Sequence, residues 1–267
     1  MRIVRYLAQQ GDVRYAAEES SGRCFDLDGN IYHAFEVTDR EAQMVKLLAP
    51  VEPRVLLCIG LNYRDHAQEQ RSALPQFPML FIKSPNSLNH PGDPIAIPTH
   101  LASAEVDYEG ELAVVIGRDC KNVRRELALD YVLGYTIAND VTARDWQKKY
   151  GGGQFCRGKS FDTFAPLGPV LLTKEEIADP GQLRIQTRVN GETRQDSHTS
   201  NLIFDIPTLI EFLSGSTTLL AGSVILTGTP SGVGMAMKPP RFLQPSDVVE
   251  VEIERIGVLS NPVVKEY

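Results

Sequence analysis

Short apolar runs recur along the chain after residue 53, each bounded by glycine, proline or an Asn-Gly pair. Runs of roughly four to eight residues rich in Val, Ile, Leu and Thr are typical of buried β-strands. Asn190-Gly191, between two such segments, indicates a tight β-hairpin. The predicted strands are Val55–Ile59, Met79–Ile82, Leu112–Ile116, Val132–Ala138, Val170–Thr173, Leu183–Val189, Ser223–Thr227 and Val248–Ile253.

Helical periodicity is much rarer and is confined to Tyr63–Gln70, Ala143–Tyr150 and Ile206–Ser214. Glutamate and apolar residues alternate through 248–254, which predicts a strand with one face in water. Many strands with few, irregularly spaced helices favour a β-rich α+β fold over an alternating βαβ architecture.

The first 50 residues have a different pattern, with short extended segments and a turn at Asp28-Gly29. A short polar helix is predicted over 39–50 and ends at Pro50. We therefore predict a small N-terminal β-rich region at residues 1–53 and a main domain at residues 54–267.

Composition narrows the class of protein. The 267 residues are 42% hydrophobic, so the chain can bury a core without disulfides or structural metal. A net charge of −7 disfavours nucleic acid and anionic membranes as partners, and no apolar run approaches the ~20 residues of a membrane span. The N-terminus has no apolar signal core, so we expect a cytoplasmic protein. No C-x-x-C pair is present, and most of the four cysteines are expected to be buried, reduced thiols.

Residues Gly153–Ser160 match G-x-x-x-x-G-K-[ST], the phosphate-binding loop of nucleoside triphosphatases. That loop needs a strand before it and a helix after it, so that amide groups point at the phosphates. Here the preceding segment is polar and helical, and the following one contains two prolines and β-branched residues. A nucleotide-dependent enzyme is therefore a minor hypothesis.

Three carboxylates are the strongest chemical signal. Glu109 and Glu111 are two residues apart at the start of a strand that is otherwise apolar, so they share a face, and Asp140 ends another apolar strand. Judged on its own segment, the glutamate pair is more readily explained by a solvent-facing edge, and Asp140 by a helix cap. If the three converge, they form an oxygen site suited to Mg²⁺ or Mn²⁺.

Other polar residues could serve a reaction at such a site. His66 and Glu69 are three apart on a short helix, where a carboxylate beside an imidazole makes a general base, although an exposed pair is as plausible. Arg144 and Gln147 share a helical face and could bind a carboxylate and a keto oxygen, or Arg144 could form a surface pair with Asp140.

Two further segments have both chemical and purely structural explanations. Lys159 follows a glycine run and could stabilise an oxyanion. The segment Gly228–Gly234, with Thr229, could bind an anion through its backbone amides, although turn formation alone explains its glycines.

These segments together resemble the fumarylacetoacetate hydrolase superfamily, over about residues 54–264. The resemblance is closest to its domain-containing protein 2 branch, on GKSFDTFAPLGP and KPPRFLQPSDVVEVEIERIGVL. It implies a twisted β-sandwich roll with a small N-terminal appendage, usually dimeric, that holds one Mg²⁺ or Mn²⁺. The motifs, in order, are GLNYRDHAQE, the E-x-E of VDYEGELAVVIG, ANDVTARDWQ, GKSFDTFAPLGP, VNGE and ILTGTPSGVG.

The resemblance also assigns roles to individual residues. It gives none to Glu105 and Asp107, just before the E-x-E motif, and we expect both to face solvent. The implied metal ligands are Glu109, Glu111 and Asp140. The implied catalytic residues are His66 and Glu69, as a water-activating dyad on a lid, and Lys159. The implied substrate-binding residues are Arg144, Gln147 and Thr229.

Members of the family hydrolyse C–C bonds of acylpyruvates and fumarylacetoacetate, decarboxylate oxaloacetate, or interconvert keto and enol forms. In each case a divalent ion that binds a 2-oxo acid can stabilise an enolate. The branch favours an oxaloacetate keto–enol tautomerase, with C–C hydrolysis and decarboxylation as alternatives. A non-catalytic ligand-binding member is the hypothesis of another class.

Overall fold

The first 50 residues form strands only. The computed structural model describes residues 1–267, and this part of the chain contains β1 (Arg2–Ala8), β2 (Val13–Glu18), β3 (Cys24–Gly29), β4 (Phe35–Glu41) and β5 (Met44–Leu48). The helix expected over 39–50 was therefore wrong. Strand β4 pairs with β3 and β5 pairs with β1, so hydrogen bonding to earlier strands outweighs the helix propensity of the segment.

The turn expected at Asp28-Gly29 lies slightly later. Gly29 is the last residue of β3, and the turn spans residues 30–34, closed by a hydrogen bond from the Asn30 amide to the Ala34 carbonyl. Gly29 has a φ of +108°, and a Cβ there would lie 2.4 Å from the Ala34 oxygen. The glycine is thus required beside the turn rather than inside it.

The remaining residues form fourteen strands and three short α-helices. The helices are α1 (Arg64–Glu69), α2 (Cys156–Lys159) and α3 (Ile206–Ser214). The strands are β6 (Leu56–Gly60), β7 (Met79–Lys83), β8 (Leu88–Asn89), β9 (Ile95–Ile97), β10 (Val106–Asp107), β11 (Gly110–Ile116), β12 (Val132–Asn139), β13 (Thr142–Ala143), β14 (Ala165–Thr173), β15 (Arg184–Val189), β16 (Glu192–His198), β17 (Val224–Leu226), β18 (Val248–Ile253) and β19 (Gly257–Lys265).

The predicted main-domain strands are all present, with ends shifted by a few residues. The Asn190-Gly191 hairpin joins β15 to β16, and both turn residues have positive φ, as a tight hairpin requires. The helix predicted over 143–150 is only partly regular, because a π-helix occupies Trp146–Tyr150.

Two main sheets form the molecule. The large one has twelve strands, in the order β4-β3-β2-β1-β14-β12-β11-β17-β6-β7, with β5 and β8 attached to β1 and β14. The smaller has five, in the order β16-β15-β18-β19-β9, and β10 pairs with β13 separately. The N-terminal strands continue the large sheet, because β1 pairs with β14.

The core lies between the two sheets and on both faces of β11. Leu112, Val114 and Ile116 pack in a cluster that also contains Ile185 and Val251 of the smaller sheet. The alternate residues of β11 pack in a second cluster on the opposite face, with β6 and β17. This arrangement confirms the β-rich α+β fold and the twisted sandwich. No helix of the structure is both long and apolar enough to cross a membrane.

Candidate active site

Antiparallel pairing of β11 with β12 brings the three carboxylates together. The register places Gly110 opposite Asn139, so the start of β11 lies beside the end of β12. The Asp140 amide donates to the Glu109 carbonyl at 2.8 Å and fixes this junction. One carboxylate oxygen from each of Glu109, Glu111 and Asp140 lies within 4.8 Å of the other two, and all three residues are buried.

Buried cations neutralise two of these carboxylates. The Lys159 ammonium donates to Glu109 at 2.8 Å and to Asp140 at 2.6 Å. Arg144 donates to the other oxygen of Glu109 at 2.5 Å, and Lys83 donates to the other oxygen of Asp140 at 2.5 Å. Burial alone would raise the pKa of Glu109, but Lys159 and Arg144 hold it well below its usual range.

Glu111 has no such partner. Its only hydrogen bond comes from the backbone amide of Gly228, at 2.7 Å. Burial, reinforced by Asp140 and Glu109, raises the pKa of Glu111 well above its usual range. The centre of the cluster therefore contains one buried carboxylate that forms no ion pair.

This donor set fits a hard divalent cation. Oxygen ligands with no histidine or cysteine among them are those that Mg²⁺ and Mn²⁺ prefer. Glu109 and Asp140 accept hydrogen bonds on both oxygens, yet each carboxylate oxygen has a second lone pair for a metal. A cation bound beside Glu111 would bring a positive charge next to a carboxylate that forms no ion pair.

Arg144 is held by a residue that was expected in solvent. Asp107 is fully buried, and its carboxylate accepts from Arg144 Nε at 2.9 Å and from the amides of Gly234 and Met235. The expectation that Asp107 faces solvent was wrong, because the buried guanidinium and these amides compensate its charge. Glu105 is partly exposed and pairs with Lys149.

One donor nitrogen of Arg144 has no protein partner. Its Nη1 also donates to Gln147 Oε1 at 3.2 Å, while its buried Nη2 has no hydrogen-bond partner. Buried guanidinium groups are seldom left unpaired, so Nη2 is a candidate contact for a substrate carboxylate. The suggested surface pair of Arg144 with Asp140 does not form, and Asp145 rather than Asp140 caps the helical turn.

Helix α1 carries the predicted histidine–glutamate pair. His66 Nδ1 lies 3.0 Å from a Glu69 oxygen, and only 6% of the His66 side chain is exposed. The other Glu69 oxygen accepts from the Gly232 amide at 2.9 Å. A third contact joins His66 Nε2 to Gln70 Nε2 at 2.6 Å.

The glycine-rich loop at residues 228–235 binds protein carboxylates. Its amides donate to Glu111 from Gly228, to Glu69 from Gly232, and to Asp107 from Gly234 and Met235. Gly232 has a φ of +101°, and a Cβ there would lie 2.0 Å from the Arg194 oxygen. The anion-binding capacity of the loop is thus used internally to position three acids.

One pocket, of about 190 Å³, is lined by the predicted residues apart from Glu69 and Asp140. Each of these two is hydrogen-bonded to a lining residue, Glu69 to His66 and Asp140 to Lys159. Thr229 lines it, with its hydroxyl donating to the Gly110 carbonyl and accepting from Gln195. Lys159 reaches it from α2, which follows a π-helix and precedes β14, so the nucleotide-loop context is absent as expected. The pocket lining is Ile59, Gly60, Leu61, His66, Gln70, Ser72, Met79, Phe81, Glu109, Glu111, Arg144, Gln147, Lys148, Phe155, Lys159, Thr229 and Met235.

Comparison with family models decides the assignment. Residues 55–264 match the fumarylacetoacetate hydrolase C-terminal model, and residues 1–50 match an Rv2993c-like N-terminal model. The chain belongs to the fumarylacetoacetate hydrolase family. The superfamily resemblance drawn from the motifs is thereby confirmed.

Similar proteins of this family include oxaloacetate tautomerases and a fumarylacetoacetate hydrolase. It is 51% identical over 221 residues to oxaloacetate tautomerase fahd2 of Xenopus laevis, covering 82% of this chain and 69% of that one. It is 50% identical over 223 residues to oxaloacetate tautomerase YisK of Bacillus subtilis, covering 82% and 73%. A solved fumarylacetoacetate hydrolase from Exiguobacterium antarcticum superposes with a TM-score of 0.88 at 41% identity, over all of both chains.

Sequence reasoning missed three polar residues at the site of this family member. Lys83 ends the apolar strand β7 and looks like a surface residue, although it is fully buried against Asp140. Asp107 gives a clear signal only once Arg144 is known to be beside it. Gln70 could have been found, because it lies four residues after His66 on the same helical face.

Proposed function

We propose that this protein is a divalent-metal-dependent oxaloacetate keto–enol tautomerase. The observation that carries the proposal is the buried carboxylate of Glu111, which forms no ion pair and converges with Glu109 and Asp140. It shares a pocket with Arg144, whose Nη2 is unpaired. These groups offer a place for a cation next to a place for a substrate carboxylate. The relatives named oxaloacetate tautomerase, which are 51% and 50% identical to this chain, support this choice of substrate.

Glu109, Glu111 and Asp140 would hold Mg²⁺ or Mn²⁺, with the identity of the ion part of the proposal. When bound, the ion supplies a Lewis acid that polarises the 2-oxo group of the substrate. Lys83 and Lys159 hold Asp140 from both of its oxygens, so the ligand set is rigid before an ion arrives.

The chain's own residues bind and orient the substrate. Arg144 Nη2 receives the carboxylate, and Gln147, which it already contacts, lies beside the keto oxygen. Burial would lower the pKa of Lys159, but Asp140 and Glu109 raise it, so the ammonium keeps its proton. That positive charge stabilises negative charge developing on the substrate oxygen. Thr229 lines the same pocket, and we propose that it also contacts the substrate.

A C–C hydrolase or decarboxylase is the second candidate, because the histidine–glutamate pair is intact. His66 Nδ1 pairs with Glu69, an arrangement that can activate water, and the similar Exiguobacterium structure is named a fumarylacetoacetate hydrolase. We expect His66→Ala to remove hydrolysis or decarboxylation selectively and to affect tautomerisation less. Equal loss of all activities would contradict separate roles.

We also propose a homodimer, and a domain boundary near Pro53 between a small N-terminal region at residues 1–53 and a catalytic domain at residues 54–267. Strand β7 lies at the end of the large sheet and exposes Met79, Leu80 and Ile82, next to exposed Leu74 and Phe77. An apolar, unpaired sheet edge is a surface suited to self-association. Light scattering should give twice the chain mass, and a monomer at micromolar concentration would contradict the dimer.

The decisive experiment follows enol absorbance and CO₂ release separately, on oxaloacetate and on acetylpyruvate, with and without a chelator. The proposal predicts loss of the enol signal without stoichiometric CO₂, and inhibition by the chelator that Mg²⁺ reverses. Release of CO₂ or acetate at the same rate would favour the second candidate. No turnover of either acid or of fumarylacetoacetate, with thermal stabilisation by one of them, would indicate a non-catalytic binding protein.

A further inference from the structure

Both ring nitrogens of His66 have a protein partner. A carboxylate oxygen of Glu69 is an acceptor, so the hydrogen of this contact is on Nδ1 of His66. In that tautomer the lone pair is on Nε2, and the group 2.6 Å away is the amide nitrogen of Gln70, a donor. The two contacts agree on one tautomer, in which the basic nitrogen already accepts a hydrogen bond.

Gln70 is placed for this contact by the end of α1. It is the C-cap residue, and its backbone amide donates to the His66 carbonyl at 3.0 Å, so the two side chains lie one turn apart on the same face. Both line the pocket that contains Glu109, Glu111 and Arg144. The amide therefore occupies the hydrogen-bonding position at His66 Nε2 that a water in the pocket would need.

We propose that Gln70 is a positioning residue that determines reaction specificity, by occupying His66 Nε2 and so suppressing C–C hydrolysis. The inference rests on the proposed function of the same site. Tautomerisation consumes no water and needs no hydroxide formed at Nε2. Hydrolysis does, because His66 is the group that the geometry offers as a base for water.

The suppressed reaction can be written in full for an acylpyruvate. The water oxygen forms a bond to the 4-oxo carbon while one water proton passes to Nε2. The C3–C4 bond then breaks with its electron pair left on C3, and the proton held by His66 is transferred to C3. The products are a carboxylic acid and pyruvate. The first transfer requires Nε2 to be free, so the contact with Gln70 must break beforehand.

The test compares Gln70→Leu with Gln68→Leu, a matched control on the same helix whose side chain is exposed and does not line the pocket. Breaking one hydrogen bond changes a rate by roughly three- to tenfold. We expect kcat for acetylpyruvate hydrolysis to rise by about that factor in Gln70→Leu, and the ratio of hydrolysis to tautomerase kcat/KM to rise with it. Gln68→Leu should behave as the wild type.

Three further measurements test whether the effect arises from loss of the contact between the Gln70 amide and His66. The increase must vanish in His66→Ala/Gln70→Leu, and it must recur in Gln70→Met, an unbranched variant that also lacks the amide. The ¹⁵N signal of His66 Nε2 should shift towards that of a free imidazole nitrogen in Gln70→Leu but not in Gln68→Leu.

An unchanged or lower hydrolysis rate, or an unchanged ¹⁵N signal, would overturn the role of Gln70. Absence of tautomerase activity from the wild type would instead overturn the proposed function, and the hydrolysis and ¹⁵N comparisons would still decide the inference.

Discussion

At the scale of single residues, charge compensation separates two neighbouring metal-ligand candidates. Glu109 is bonded to Arg144 and Lys159, whereas Glu111 is bonded only to a backbone amide. Removing one partner of a buried ion pair leaves the other charge uncompensated, which costs several kcal/mol, whereas removing an uncompensated charge does not. The two glutamates should therefore respond oppositely to the same substitution.

We predict that Glu109→Gln lowers the free energy of unfolding of chelator-treated protein by about 3 kcal/mol. Glu111→Gln should leave it unchanged or raise it, because the amide still accepts from Gly228 and the buried charge is gone. Urea unfolding of both variants measures the difference. Equal destabilisation would show that Glu111 has a counter-charge in solution.

Asp107 offers a second prediction at this scale. Asp107→Asn should weaken the hold on Arg144, so KM for oxaloacetate should rise roughly tenfold while kcat falls less. Glu105→Gln is the matched control, because Glu105 pairs with Lys149 at the surface. A KM within twofold of the wild type would rule out Asp107 as the residue that positions Arg144.

Sequence alone singled out the carboxylates because each stands at the end of an otherwise apolar strand, and the family motifs favoured them as metal ligands. It could not supply their partners. Lys83 and Lys159 come from segments 76 residues apart, and nothing in MLFIK distinguishes a buried lysine from one that ends a strand in water. Compensation of buried charge is a property of three-dimensional neighbours, which local patterns do not record.

At the scale of elements, the accuracy of prediction depended on whether local and tertiary preferences agree. Helix α3 has the predicted bounds, since it begins with an aspartate cap and a proline and has a buried face. The helix predicted over 39–50 has suitable local propensity, yet β1 and β3 offer open edges that pair with it as strands. The hairpin at Asn190-Gly191 was predictable because the turn itself fixes the register.

The cap of α3 provides a test with a pH dependence. Asp205 accepts from the Thr208 amide at 2.9 Å. Although burial opposes the effect, this bond and the Thr208 hydroxyl lower the pKa of Asp205. A lowered folded-state pKa means that the cap stabilises the protein above the unfolded pKa, and that this contribution is lost as pH falls.

Asp205→Ala should therefore cost about 1 kcal/mol at pH 7. The difference from the wild type should shrink below about pH 4, where the wild-type carboxyl becomes protonated. Urea unfolding at pH 7 and pH 3.5 measures it, and Asp205→Ser should restore most of the loss. A constant difference at both pH values would indicate that the charge of Asp205 is irrelevant.

At the scale of the whole molecule, the N-terminal strands and the main domain share one sheet. Strand β1 pairs with β14, which also pairs with β12, the strand that leads into Asp140. Sequence patterns predicted strands on both sides of Pro53 but not their continuity, because pairing between residues 2 and 172 leaves no local trace. The boundary near Pro53 stays a prediction.

Thiol reactivity reports on the packing of the whole chain. Cys24, Cys58 and Cys120 are buried, and burial raises the pKa of each, whereas Cys156 is exposed. Because the thiolate is the reactive form, we predict one fast-reacting thiol per folded chain with an aromatic disulfide reagent, and four after denaturation. Cys156→Ser should abolish the fast reaction. Any fast-reacting thiol left in folded Cys156→Ser would contradict the described packing.

The most direct test of the proposed cation site is a calorimetric titration of chelator-treated protein with Mg²⁺ and with Mn²⁺. The wild type should bind one ion per chain. Glu111→Gln should weaken binding beyond the roughly 10- to 100-fold effect of losing an outer partner, while Glu250→Gln, on the partly exposed strand β18, should not weaken it. Wild-type affinity in Glu111→Gln, or no binding by the wild type, would contradict the assignment of Glu109, Glu111 and Asp140 as one cation site.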